Sequence, residues 1–153
     1  MQLSSVTQLT ECEIAAWRGF LRVHAALLRN LDRELEDAQG MPLTHYEVLL
    51  YLWNAPDERL RMSDLAQSVL LSQSGITRLV DRLEKAGLVV REPCPGDRRV
   101  LYARLTDVGR ARLVEARPTH LAGVRARFVD HFDEPELAQL TAAWERLRPG
   151  VTE

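Results

Sequence analysis

Gln73, Ser74, Thr77, Arg78 and Arg82 recur at the steps that line one outer surface of a helix, and Ser72 stands at its start. Gln and Arg side chains can bond adenine and guanine edges bidentately, each pair giving about 1–3 kcal/mol of base discrimination; Ser and Thr serve bases or phosphates. Asp81 is the acid on the same outer faces. Further along, Asp97-Arg98-Arg99 places two guanidinium groups beside a carboxylate. An arginine inserted into a narrow minor groove meets enhanced negative potential, and a neighbouring carboxylate can hold an arginine in place so that less side-chain entropy is lost. The expectation is that one of the two arginines inserts and the other pairs with Asp97.

The elements that must carry these groups are legible around them. Ile76, Leu79, Val80 and Leu83 form a buried stripe on a helix capped by Ser72, running to Ala86 and closed by Gly87 in the C′ position. Just before it, Ser63 is expected to cap a short helix from Asp64 to Leu70. Two short helices so close together make a helix-turn-helix. After Gly87 the pattern turns extended: Leu88 to Arg91, a turn over Pro93-Cys94-Pro95-Gly96-Asp97, then Val100 to Leu105. A hairpin directly after a helix-turn-helix is a winged helix, which sets a helix end in a major groove and a loop over the neighbouring minor groove.

Longer helices flank this unit. From Glu11 to Leu35 the positions Trp17, Phe20, Leu21, His24, Leu27, Leu28, Leu31 and Leu35 make one long apolar stripe, ended by Gly40-Met41-Pro42. A second helix is expected to start at Thr44 with Glu47 as its capping box, and to stop at Asn54-Ala55-Pro56. Thr106 caps a long helix containing Pro118, and a last one follows Asp133-Glu134-Pro135 until Pro149 and Gly150. The expected fold is mainly α with a small β-hairpin wing, one domain over 1–153. Its winged helix covers about 44–110, and the flanking helices about 8–38 and 111–148. The terminal stripes carry more apolar surface than one small core needs, so pairing with a second subunit is expected.

The chain has 153 residues and a net charge of −2. Ten arginines and Lys85 stand against six acids between Arg59 and Arg112, an excess of five positive charges, so the remainder carries −7. With a Debye length of about 8–10 Å, a phosphate backbone responds to the local excess rather than to the total.

The run from Leu70-Leu71-Ser72-Gln73-Ser74-Gly75-Ile76-Thr77-Arg78 through Leu83-Glu84-Lys85-Ala86-Gly87-Leu88-Val89, followed by Asp97-Arg98-Arg99 and Leu105-Thr106-Asp107-Val108-Gly109, resembles the MarR family of bacterial transcription regulators. The resemblance extends over nearly the whole chain, because the long flanking helices match that family's dimerisation helices. It implies a sequence-specific regulator of double-stranded DNA, a repressor acting as a homodimer on a pseudo-palindromic operator and released by a small-molecule or redox signal. Two recognition helices would then meet half-sites roughly 34 Å apart. The expected DNA-contact residues are Ser72, Gln73, Ser74, Thr77, Arg78, Arg82, Asp97, Arg98 and Arg99.

The resemblance places an effector pocket between the dimer helices and the winged domain, where Trp17, His24, Tyr46 and Trp53 can offer stacking surface with polar tips. Two alternatives stay open: a winged helix used for protein interaction, and a thiol oxidant sensor using Cys12. The acids Glu11 and Glu13 beside Cys12 disfavour a reactive thiolate, and Cys94 in the wing is the second thiol whose oxidation would disturb DNA contact. His24, His45, His120 and His131 show no metal-ligand spacing, and no GxSxG, P-loop or dinucleotide fingerprint occurs, so no metal, cofactor or enzymatic activity is expected. The apolar run Val48 to Leu52 is far short of the ~20 residues of a membrane span. Met-Gln-Leu-Ser-Ser-Val-Thr lacks a signal peptide's pattern, and two distant cysteines without CxxC suit a reducing cytoplasm.

Overall fold

The structure, a computed structural model, describes residues 8–69 and 71–152. Six helices and a three-stranded antiparallel sheet follow one another as α1 (Glu11–Gln39), α2 (Leu43–Asn54), β1 (Arg59–Arg61), α3 (Met62–Ser68), α4 (Gln73–Lys85), β2 (Val89–Cys94), β3 (Asp97–Leu105), α5 (Asp107–Arg127) and α6 (Glu134–Thr152). The fold is thus mainly helical with a small β wing. The sheet order is β1-β3-β2. One core serves the unit between α2 and β3: Tyr46, Leu49 and Leu52 from α2, Leu65 from α3, Ile76, Val80 and Leu83 from α4, and Ala103 and Leu105 from β3. Leu31 and Leu35 of α1 and Leu113 of α5 close it on one side.

The helix starts follow from capping chemistry. Thr10 caps α1 with a reciprocal Glu13 capping box, Ser72 caps α4 through Gly75, and Thr106 caps α5 through Gly109. Gly40 at φ 60° and Gly87 at φ 73° end helices in the left-handed region, which a Cβ disfavours.

Five expected boundaries are corrected. Helix α2 begins at Leu43 with Pro42 as N-cap, and the N–H of Leu43 is satisfied by Asp32 Oδ1 of α1 at 2.8 Å; a tertiary carboxylate takes the role expected of Thr44. Helix α3 begins at Met62, and Ser63 Oγ meets Asp64 Oδ1 instead of capping. The expected end of that helix at Leu70 lies outside the described residues, and α3 itself stops at Ser68. The wing turn is shorter than expected: β2 extends to Cys94 and β3 starts at Asp97, with a register shift at Pro93/Cys94, which leaves Pro95-Gly96 to turn the chain. Helix α6 continues through Pro149 and Gly150 to Thr152. Strand β1 was not foreseeable from alternation: three residues become a strand only because Leu60 pairs with Ala103 of β3.

Candidate nucleic-acid interface

Helix α4 turns Ile76, Leu79, Val80 and Leu83 into the core. The opposite surface leaves Ser72, Gln73, Ser74, Thr77, Arg78 and Arg82 exposed, in one row from the helix N-terminus. Local bonds order several of these side chains. Ser72 Oγ accepts the Gly75 N–H at 3.1 Å, Thr77 Oγ1 donates to Gln73 O at 2.8 Å, and Arg78 and Arg82 donate from Nε to the carbonyls of Ser74 and Arg78. Both residues are exposed, and neither guanidinium pairs with an acid among the described residues. A helix N-terminus of this kind favours an anion by its dipole and its free N–H groups.

The wing supplies the second cationic element. Asp97 Oδ1 accepts the Arg99 N–H at 2.9 Å and lies 3.8 Å from Arg99 Nε, while the Arg99 side chain stays 95% exposed. Asp97 and Arg99 therefore come together as a pair, and Arg98 is exposed with no partner among the described residues. Between wing and helix runs an open groove of about 570 Å³, bordered by Arg61, Ser63, Gln73, Thr77, Asp81, Arg91 and Arg99. Its floor unites the α4 row with the wing tip.

Sequence reasoning missed three polar members of this groove, Arg61, Ser63 and Arg91. Arg61 comes from the unforeseen β1, where its Nε donates to the Tyr102 hydroxyl at 3.3 Å and Arg59 lies over the Tyr102 ring. Ser63 sits in the first turn of α3. Arg91 projects from β2 onto α4. No local pattern marks Arg61 or Arg91, which strand pairing and helix–strand contact put there, and Ser63 enters the groove because α3 begins at Met62 rather than at Asp64.

The candidate effector residues fall in two groups. Trp17 and His24 are exposed on α1, each ring within about 6 Å of Phe20, which also meets Trp144 of α6 at 5.9 Å. Tyr46 is buried and Trp53 half-buried on α2. The Tyr46 ring lies 4.4 Å from that of His120 of α5, whose Nδ1 is buried without a hydrogen-bond partner. Burial lowers the His120 pKa and raises that of Tyr46. Cys12 is exposed in the first turn of α1. Cys94 is half-buried at the end of β2, where the backbone N–H groups of Gly96 and Asp97, and the charge of Arg61, lower its thiol pKa. Among the described residues no cluster of His, Cys, Asp and Glu could hold a metal ion, and no helix is long and apolar enough to cross a membrane.

A sequence profile described as "MarR family" matches residues 39–100. The chain is similar to the crystal structure of AbsC, a MarR family transcriptional regulator from Streptomyces coelicolor, at 35% identity with a TM-score of 0.87, covering 94% of this chain and 97% of that one. It is similar to Sco3205 of the same organism, solved in complex with DNA, at 34% identity with a TM-score of 0.89, covering 95% and 91%. It is also 31% identical to the transcriptional repressor YetL of Bacillus subtilis over 112 residues, 71% of this chain and 67% of that protein.

Proposed function

The chain belongs to the MarR family of DNA-binding transcription regulators, and from that premise we propose that it is a repressor that binds a pseudo-palindromic operator as a homodimer and is released by a small-molecule or redox signal. The observation that carries the DNA part is the continuity of one exposed polar and cationic surface. It runs from Gln73, Ser74, Thr77, Arg78 and Arg82 on α4, across the groove, to Arg98 and Arg99 on the wing. A helix of this width fits a major groove, and a two-stranded tip carrying arginines fits the adjacent minor groove. That one relative is named a repressor and another was solved with DNA supports the same reading.

The homodimer rests on the terminal helices. Trp17, Phe20, Leu21 and Val23 of α1, Val114 and Leu121 of α5, and Trp144 and Leu147 of α6 are all exposed in the single chain. These side chains are about half exposed, so covering what remains is worth about 1 kcal/mol each, and a second copy can cover them. For the effector, the candidates stay in two groups, Trp17 and His24 on the exposed face of α1 beside Phe20, and Tyr46 with Trp53 on α2, where α2 meets α5. The unpartnered Nδ1 of His120 beside Tyr46 supports a polar ligand group on that side. Cys94 in the wing is the thiol through which an oxidant would disturb the DNA surface.

Selection of bound sequences from a random duplex pool, repeated at two salt concentrations, tests the DNA reading. An enriched inverted repeat with half-sites roughly 34 Å apart and a steep salt dependence is expected. A pool that stays unenriched, with binding insensitive to salt, would reject it in favour of a protein-interaction role.

A further inference from the structure

We infer that Arg91 is a positioning residue that locks the wing to the recognition helix, so that the α4 row and the wing tip meet DNA as one rigid head. The inference rests on the DNA-binding reading above and adds to it the part that sets its geometry. Four contacts converge on Arg91. Its backbone N–H donates to Glu84 Oε1 at 3.0 Å, Nη1 meets both Asp81 Oδ1 at 2.7 Å and Glu84 Oε2 at 2.8 Å, and Nη2 donates to the carbonyl of Thr77 at 3.0 Å. The acceptors at 77, 81 and 84 lie on successive turns of one helix face, so a single guanidinium spans two turns of α4. The Arg91 side chain is only 19% exposed while Asp81 and Glu84 are 46% and 38% exposed, so the strength of the clamp comes from the number and alignment of its bonds rather than from burial of the acids.

The planar fork of arginine matters here, because Nη1 and Nη2 reach the carboxylates and the Thr77 carbonyl from two separate atoms in a fixed geometry, whereas an ammonium offers its three donors from a single point. Fixing strand β2 against α4 at this point sets both the tilt of the hairpin and the distance from Gln73 and Thr77 to Arg98 and Arg99. Arg91 also pairs with Glu84 and with Asp81, the carboxylate that borders the groove and would otherwise repel phosphates. Both Nη1 hydrogens of Arg91 and one Nη2 hydrogen are given to protein acceptors, so its charge is spent mainly within the protein.

The test compares wild type with Arg91→Gln, Arg91→Lys and the double variant Asp81→Asn with Glu84→Gln. Each is titrated against the enriched duplex and an unrelated duplex of equal length over a series of salt concentrations, with hydroxyl-radical footprints and thermal midpoints in parallel. Arg91→Gln is expected to lose about tenfold in the ratio of specific to unrelated binding, the size of a single coupling between neighbouring groups. The slope of affinity against salt should stay unchanged, and protection under the wing should fade before protection in the major groove. Arg91→Lys should recover part of the ratio. The double variant, which keeps the arginine and removes its partners, should lose the ratio as well, and it reads the same property should Arg91→Gln fail to fold. A salt slope reduced by about 0.9 in Arg91→Gln would mean that Arg91 contacts a phosphate directly, and would overturn the inference. An unchanged ratio in every folded variant, whatever the thermal midpoints, would overturn it too. A wild type with no preference between the duplexes would instead reject the DNA reading on which the inference stands.

Discussion

Asp97 at the wing tip is an acid placed where DNA phosphates should pass, and its substitution separates two roles. A bare acid repels the backbone, so Asp97→Ala would tighten binding. An acid that holds the Arg99 main chain and guanidinium reduces the conformational freedom that the wing tip must give up when Arg98 enters a minor groove. The second role predicts weaker binding for Asp97→Ala despite the lost negative charge, by about 1 kcal/mol of side-chain ordering. Equilibrium titration of the enriched duplex decides the sign, and tighter binding would rule out the orienting role. Arg98→Ala with Arg99→Ala should weaken binding to every sequence, whereas Gln73→Ala or Arg78→Ala should change which bases are preferred, by about 1–3 kcal/mol at the affected position. His120 gives a pH prediction. Burial lowers its pKa, so the folded chain keeps it neutral while the unfolded chain takes up a proton near the ordinary value of about 6.5. As pH falls through that range the unfolded state binds more protons and stability drops; His45, lowered by burial and then by Arg82, acts in the same direction. His120→Phe removes the unpartnered Nδ1 and should gain about 1 kcal/mol while flattening the decline between roughly pH 7 and 5. Urea midpoints at the two ends of that range check it, and an unaltered pH slope would count against the assignment.

Helices and strands show why part of the molecule is legible and part is not. The α4 row and its buried stripe can be read because both follow one helical period and because Ser72 and Gly87 mark the ends chemically. Thr106 marks α5 in the same way. The start of α2 misleads because its cap comes from Asp32, eleven residues back on another helix, and no local signal records that. Strand β1 and the Arg91 clamp are equally silent, since both depend on which strand lies beside which helix. The wing tip falls between these cases: its charges are visible, while the turn is shortened by the β2–β3 register. Where α5 leaves the sheet, Gly109 is buried, and a Cβ there would collide with the carbonyl oxygen of Leu88 and sit 2.9 Å from Leu105 Cδ1. The backbone cannot yield easily, because Leu88 O also accepts the Thr106 N–H at 3.2 Å and Thr106 Oγ1 bonds Gly87 O at 2.7 Å. Gly109→Ala should therefore destabilise the chain by roughly 3 kcal/mol, in contrast to the slight gain of an ordinary helix position. A denaturation midpoint equal to wild type would show that α5 can shift away from the wing base.

Most of the exposed large apolar side chains of the described residues lie on α1, α5 and α6. No described side chain of α6 is buried, and α1 buries only Leu31 and Leu35, near its C-terminal end. Phe20 and Trp144 touch each other and are each 44% exposed, so their contact is the seed of a core with one wall missing. In an isologous dimer each substitution counts twice, once per subunit. Phe20→Ser with Trp144→Ser would therefore remove four aromatic side chains from a paired interface, while the winged unit, whose core lies elsewhere, keeps its fold. Taking only part of the full burial value, the loss is about 4 kcal/mol, or roughly a thousandfold in dimer affinity. Sedimentation velocity at micromolar protein should show wild type as a dimer and the double variant as a monomer. Operator binding then follows from geometry. A dimer engages the second half-site at high effective concentration, so losing the pairing should lower affinity for the full inverted repeat much more than for a single half-site. Equal losses on both duplexes would mean that the two aromatics support the DNA head itself. A wild type that sediments as a monomer would place the exposed faces of α1 and α6 in some other contact.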